Sequence, residues 1–214
     1  VLCLDRAGLV GEDGVTHHGA FDLAYLRPIP NVIISSPLNE IDLRNLMFTA
    51  YKTDRGPFVI RYPRGKGELR DWQNEMELLP VGRGRRLREG TDIAIVTIGP
   101  IGNVARQAEV AAEEGISPAH YDMIYLKPID EELLHEIGRR YSRIITVENG
   151  TVVGGLGTAV MEFMMEHGYT PRVQRIGIPD RFIEHGSIAD LYNLCGMDAP
   201  HILEAIRSLA GQKG

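Results

Sequence analysis

The sequence predicts an α/β protein: an incomplete half-domain, then a complete doubly wound domain with a mostly parallel sheet. Three observations predict it. Apolar runs such as IAIVTIG at Ile93–Gly99 are hydrophobic on both faces, as strands covered by helices on both sides must be. These runs alternate with segments of helical periodicity. Glycine and proline mark the junctions between the two kinds of segment.

Taken in order, Val1–Asp5 and Asn31–Ser35 read as strands, and Phe58–Arg61 as a third. Asn39–Tyr51 reads as a helix whose apolar face carries Ile41, Leu43, Leu46, Met47 and Ala50. These elements are too few for a self-contained parallel sheet, so further strands are expected from chain preceding Val1. Residues 67–90, rich in charge and glycine, read as a linker, with a strand expected at Leu79–Leu87. Beyond Thr91 the pattern is regular. Strand Ile93–Gly99 leads into a helix with Val104, Ala108, Ala111 and Ala112 on its inner face, ended by Gly115. A strand at Ala119–Tyr125 follows, broken by Lys127-Pro128. Asp130 is placed to cap EELLHEIGRRY, whose acids come first and arginines last, matching the helix dipole. Strand Arg143–Glu148, a glycine-rich turn, helix Thr158–His167 and strand Arg172–Ile176 come next. Helices at Ile188–Cys195 and Ala199–Ala210 close the chain. The division read from this is 1–66, a linker at 67–90, and 91–214.

Composition excludes several functions. The chain has 214 residues, a net charge of −6, 43% hydrophobic and 24% charged residues, which is ordinary globular composition. Lys and Arg are scattered, so no concentrated basic face offers itself to nucleic acid. Even the cluster Arg83, Arg85, Arg86 and Arg88 reads as the solvated side of a strand. No apolar run approaches the roughly 20 residues that span a bilayer, and no signal peptide opens the chain, so a cytoplasmic protein without membrane contact is expected. Cys3 and Cys195 lie far apart and make neither a disulfide framework nor a zinc site.

Four stretches can carry chemistry. DRAGLVGEDGVTHHGAFD, Asp5–Asp22, joins glycines, an arginine, acids and two histidines directly after a strand end. Ligands bind at such ends in open α/β sheets, and glycines permit close backbone approach. RYPRG, Arg61–Gly65, lies at another strand end. Two guanidinium forks from neighbouring strand ends, Arg6 and Arg64, suit a phosphorylated substrate. VENGTVVGGLGTAV, Val147–Val160, invites a dinucleotide reading with Asp180 further on. It lacks the third glycine, however, and tight helix packing explains the glycines it has. IGIPDRFIEHGS, Ile176–Ser187, sets His185 near Asp180 and Glu184 and reads as a hydrogen-bonded loop, since no second His or Cys stands at ligand spacing. His120, His135, His167 and His201 are isolated in the sequence and read as structural or exposed.

At these stretches the sequence resembles a known family. DRAGLVGEDGVTHHGAFDLAYLRPIPN, GPFVIRYPRG, VENGTVVGGLGTAV and IGIPDRFIEHGS are similar, in the same order, to blocks of the 1-deoxy-D-xylulose-5-phosphate synthases, which are transketolase-like thiamine-diphosphate enzymes. The resemblance runs across the whole chain. It implies the second half of a pyrimidine-binding middle domain followed by a transketolase C-terminal domain. It also implies a homodimer, a transferase joining pyruvate to glyceraldehyde 3-phosphate with loss of CO2, and roles in isoprenoid-precursor, thiamine and pyridoxal biosynthesis. Thiamine diphosphate and Mg2+ are the implied cofactors. The family's GDG motif and its activating glutamate are absent from this sequence, so the chain alone is expected to be inactive. By the resemblance, His17 acts near the substrate carbonyl, Arg6 and Arg64 bind the triose phosphate, and Asp13 orders the loop. His18 stands where the family varies. Alternatives at this point are a transketolase, a 2-oxo-acid dehydrogenase β-type subunit, or a non-catalytic binding module.

Overall fold

The computed structural model describes residues 1–67, 69, 73–112 and 115–211, the side chains of Ala111 and Ala112 excepted. Part of the expected linker (Glu68 and Arg70–Trp72) and the tail of the helix before Gly115 therefore lie outside the described residues.

The first sheet has the order β1-β3-β2-β7, with β1 at Leu2–Leu4, β2 at Ile33–Ser35, β3 at Phe58–Arg61 and β7 at Tyr125–Lys127. The first three strands are parallel to their neighbours, and β7 runs antiparallel to β2. Helix α1 covers Asp22–Leu26 and α2 covers Glu40–Lys52. Asn39 starts α2 by accepting from the Asp42 amide at 2.9 Å, which satisfies one of the free N–H groups of its first turn. Leu46 and Ala50 of α2 pack on Ile33, Phe58 and Ile60.

The second sheet has the order β4-β6-β5-β8-β9. Its strands are β4 at Arg85–Arg88, β5 at Ile93–Ile98, β6 at Pro118–Asp122, β8 at Arg143–Thr151 and β9 at Arg172–Ile178. All are parallel except β4, which runs against β6. On one face lie α3 (Ile101–Ala112) and α7 (Ala199–Gly211), with Ala105, Ile202 and Ile206 against Ile93, Ile95 and Ile145. On the other lie α4 (Glu131–Arg140) and α5 (Leu156–Glu166), with Leu134, Ile137 and Val160 against Ala94, Val96 and Ile144. Helix α6 spans Ile188–Leu194. Asp130 caps α4, accepting from the Leu133 amide at 3.0 Å. The mostly parallel α/β class expected from the apolar runs is the class observed. No described helix is long and apolar enough to cross a membrane.

Three elements differ from expectation. The run Ala119–Tyr125 is two strands, not one. Ile124 adopts φ +54, a left-handed conformation costly for a β-branched residue, and there the chain leaves the second sheet for the edge of the first. The strand expected at Leu79–Leu87 contracts to β4, while Leu79 instead docks on α2, its amide donating to Thr49 Oγ1 at 2.9 Å. In the arginine cluster, Arg83, Arg85 and Arg86 are ion-paired rather than simply solvated. Arg86 pairs with Glu89 and Glu136, Arg83 with Asp130 and Glu132, and Arg85 with Asp42 of α2 and Asp122 of β6.

Candidate functional site

Strand topology brings the predicted arginines together. Strands β1 and β3 are parallel neighbours with Leu4 opposite Arg61, so the segments following them leave the same edge of the sheet. The ladder continues past the strands: the Tyr62 amide donates to Leu4 O and the Ala7 amide to Tyr62 O, each at 2.9 Å. Arg6 and Arg64 then converge on one carboxylate. Asp13 Oδ2 accepts from Arg6 Nη1 at 2.7 Å and from Arg64 Nη1 at 2.5 Å. All three side chains keep a third to a half of their surface, so water screens the pairs and little stability follows from them. What the arrangement supplies is chemical: two cations on one anion leave a net positive centre with N–H groups facing outward.

The loop between β1 and α1 is closed at its base. Gly8 donates to Gly19 O at 2.8 Å, and Gly19 donates to Arg6 O at 3.0 Å. Arg6 itself sits at φ +61, a conformation non-glycine residues hold only when their surroundings enforce it. At Gly8, with φ +77, a Cβ would lie 1.9 Å from the Asn149 side chain. Only glycine fits there.

His17 lies on the same loop, exposed, with its Nδ1 2.9 Å from Thr16 Oγ1. The structure thus groups Arg6, Asp13 and Arg64 by direct contact, while the recorded ring contact of His17 is with Thr16. His18 turns inward: its Nδ1 accepts from the Val10 amide at 3.1 Å, which places the ring proton on Nε2. That Nε2 is buried without a partner among the described residues. The fourth motif packs beside the first, with Gly186 donating to Gly11 O at 3.3 Å and His185 exposed next to Gly14.

Several residues under the loop escaped sequence reasoning. Arg61 is 1% exposed and ion-pairs with Asp22, its Nε donating to Oδ2 at 2.7 Å. Asn149, after the middle of β8, accepts the Leu9 amide on Oδ1 at 3.3 Å and donates to the Tyr192 hydroxyl at 3.1 Å. Burial pushes the Tyr192 phenol up to about 12, so it stays protonated. The glycine turn before α5 also has a plain explanation. Glu148 accepts from the amides of Leu156 at 2.8 Å and Gly157 at 2.9 Å, filling the helix N-terminus where a phosphate would otherwise bind. A Cβ at Gly155 would lie 1.9 Å from Glu148 Oε2, so the glycine is there to admit the carboxylate. Burial raises the Glu148 carboxyl, and the two amides pull it back only in part. The only signal for Arg61 was its place inside RYPRG. Nothing in the pattern distinguished Asn149 or Glu148 from strand-end residues. The histidines read as structural or exposed are so: His120 is buried 2.7 Å from Glu109 and 2.8 Å from Thr97, His135 bonds the Tyr169 hydroxyl at 3.0 Å, and the exposed His201 pairs with Asp198.

Residues 1–68 match the model of the transketolase pyrimidine binding domain, and residues 82–202 match that of the transketolase C-terminal domain. The chain belongs to the transketolase family. Within that family it is 69% identical, over 97% of its length, to the 1-deoxy-D-xylulose-5-phosphate synthase of Parabacteroides distasonis. It is 64% identical over 92% of its length to the synthase of Bacteroides thetaiotaomicron. The chain spans 33% and 31% of those relatives, corresponding to their C-terminal third. Among solved transketolases, a split-gene enzyme described as an inactive β4 tetramer superposes with a TM-score of 0.85 at 33% identity, covering 99% of this chain and 67% of that one. The transketolase of Campylobacter jejuni shares the fold, with a TM-score of 0.72 at 19% identity over 96% of this chain and 31% of that one.

Among the described residues no three His, Cys, Asp or Glu side chains gather as a metal site. The exposed guanidinium pair is suited instead to an anion that comes and goes.

Proposed function

We propose that this chain is the substrate-gripping part of a 1-deoxy-D-xylulose-5-phosphate synthase. Pyruvate and glyceraldehyde 3-phosphate would give the five-carbon ketose phosphate and CO2, a reaction class that depends on thiamine diphosphate with Mg2+ held elsewhere in the whole enzyme. The observation that carries the reading is the convergence of Arg6 and Arg64 on Asp13 at one sheet edge, in a chain so similar to the synthases. A phosphate monoester carries close to two negative charges at neutral pH. The guanidinium forks present paired donors at a geometry that matches phosphate oxygens. Asp13 keeps the two cations together without cancelling both.

In this proposal His17 works at the aldehyde end. With the Thr16 hydroxyl engaged at Nδ1, Nε2 is left to give or take a proton at the carbonyl oxygen. Residues 1–66 would act as the pyrimidine-domain half, 67–90 as the linker and 91–214 as the C-terminal domain, in a homodimeric cytoplasmic enzyme supplying isoprenoid and thiamine precursors. The 214-residue chain by itself is expected to be inactive.

The test is CO2 release from pyruvate by the complete gene product, with thiamine diphosphate and Mg2+, with and without glyceraldehyde 3-phosphate. The expected result is release that rises sharply with the aldehyde and yields a pentulose phosphate. Use of a ketose phosphate as donor while pyruvate is left intact would overturn the reading in favour of a transketolase.

A further inference from the structure

Arg61 precedes the loop-facing Arg64 by three residues, yet it points into the core. Its guanidinium reaches three separate segments. Nε donates to Asp22 Oδ2 at 2.7 Å, at the start of α1. Nη2 donates to Gly19 O at 3.1 Å, at the base of the loop, and to Asn149 O at 2.9 Å, in β8 of the second sheet. Nη1 is buried without a partner among the described residues, so the hydrogen bonds that orient the fork come from Nε and Nη2.

Gly19 is where this matters. Its carbonyl takes the Arg61 bond and the Gly8 amide, while its own amide donates to Arg6 O. Arg6 is the residue held at φ +61, and its side chain makes half of the grip on Asp13. A continuous set of hydrogen bonds therefore runs from a buried cation to the exposed one. The second sheet is included, because Asn149 O ends the same fork and Asn149 Oδ1 holds Leu9. Charge–dipole hydrogen bonds of this kind are the strong ones in a buried setting, and Asp22 compensates the charge.

We propose that Arg61 is a positioning residue for phosphate recognition. It holds the base of the loop at Gly19 and so keeps Arg6 in the left-handed conformation from which it meets Asp13 and Arg64. It touches no substrate. Its bearing on phosphate recognition rests on the synthase reading; its hold on the loop does not.

The experiment uses the complete gene product with Arg61→Lys, which keeps the charge and can still meet Asp22 but loses the fork. Hydrogen exchange is followed at the amides of Gly8 and Gly19, with those of Ile93–Ile98 as reference. The expected result is exchange about tenfold faster at the two loop amides and unchanged in β5, with the KM for glyceraldehyde 3-phosphate up about tenfold and that for pyruvate unaltered. Unchanged loop exchange overturns the proposal. So does exchange that rises equally in β5, which would make Arg61 a general stabiliser. Should Arg61→Lys not fold, Asp22→Asn loosens the Nε anchor, and loop exchange a few-fold faster is expected; no change again overturns it. If the unaltered protein forms no pentulose phosphate, the functional reading fails while the exchange measurement still decides whether Arg61 holds the loop.

Discussion

Two ion clusters in this molecule use the same side chains in opposite proportion. At the sheet edge one aspartate, Asp13, holds two arginines, Arg6 and Arg64. Between the sheets one arginine, Arg85, holds two aspartates, Asp42 of α2 and Asp122 of β6. The first is exposed and carries net positive charge. The second has carboxylates that are almost fully buried and carries net negative charge. Water weakens the first as a structural bond and leaves it free to recruit an anion. Desolvation makes the second sensitive to any loss of its cation, so it acts on stability. The contrast separates the exposed cluster proposed for recognition from a buried structural one without appeal to residue type.

The largest effect expected from this contrast is at the buried cluster. Arg85→Ala leaves two buried carboxylates without their cation and should destabilise the fold by about 3 kcal/mol at pH 7. Urea unfolding measures it, and a loss no greater than that of an ordinary surface substitution would remove the distinction between the clusters. Next comes Arg64→Ala at the exposed cluster. It should raise the KM for glyceraldehyde 3-phosphate by about 30- to 100-fold, equivalent to about 2–3 kcal/mol, with little change in unfolding midpoint or in the KM for pyruvate. Equal rises in both Michaelis constants would detach Arg64 from the phosphate.

The smallest effect is the most diagnostic. Burial pushes the Asp122 carboxyl up to about 6 despite Arg85, with Asp42 adding to the rise. A carboxyl raised in the folded state binds more protons there than in the unfolded chain, so its contribution favours folding at low pH. That contribution is lost as pH climbs from the ordinary value of 3.8 through about 6. Asp122→Asn should therefore gain on the unaltered protein as pH rises from about 4 to about 6, and hold that gain above it. Parallel urea midpoints for the two proteins across that range would contradict it.

The clusters also show how far the sequence could be read. Arg6 and Arg64 were legible because the glycine loop and RYPRG each follow a strand, and parallel strands deliver their C-terminal ends to one edge, whereas Asp13 was named through the family resemblance alone. The doubly wound sheet was legible for a related reason: its strands are apolar on both faces and its helices on one. Arg85 was misread because a basic strand flanked by glycine gives no sign of carboxylates 43 and 37 residues away. Asn149 gave no signal, and Arg61 none beyond its place in RYPRG, for the same reason: their partners come from other segments. The split of Ala119–Tyr125 was missed because the run stays apolar across the bend at Ile124. Local pattern records burial well; it does not record which sheet a strand joins.

That bend has a consequence for the way the protein holds together. Residues on either side of Ile124 belong to different sheets, so β7 closes the edge of the first sheet from a segment that follows the second sheet's own β6. The two sheets are stitched by backbone hydrogen bonds as well as by the covalent chain at 67–90. A nick in that connecting stretch would not release two pieces, because Ile34 and Ser35 would still be bound to Lys127 and Tyr125. The loop bearing Arg6 and the strand bearing Asn149 are thereby kept in one body even where the chain between them is severed.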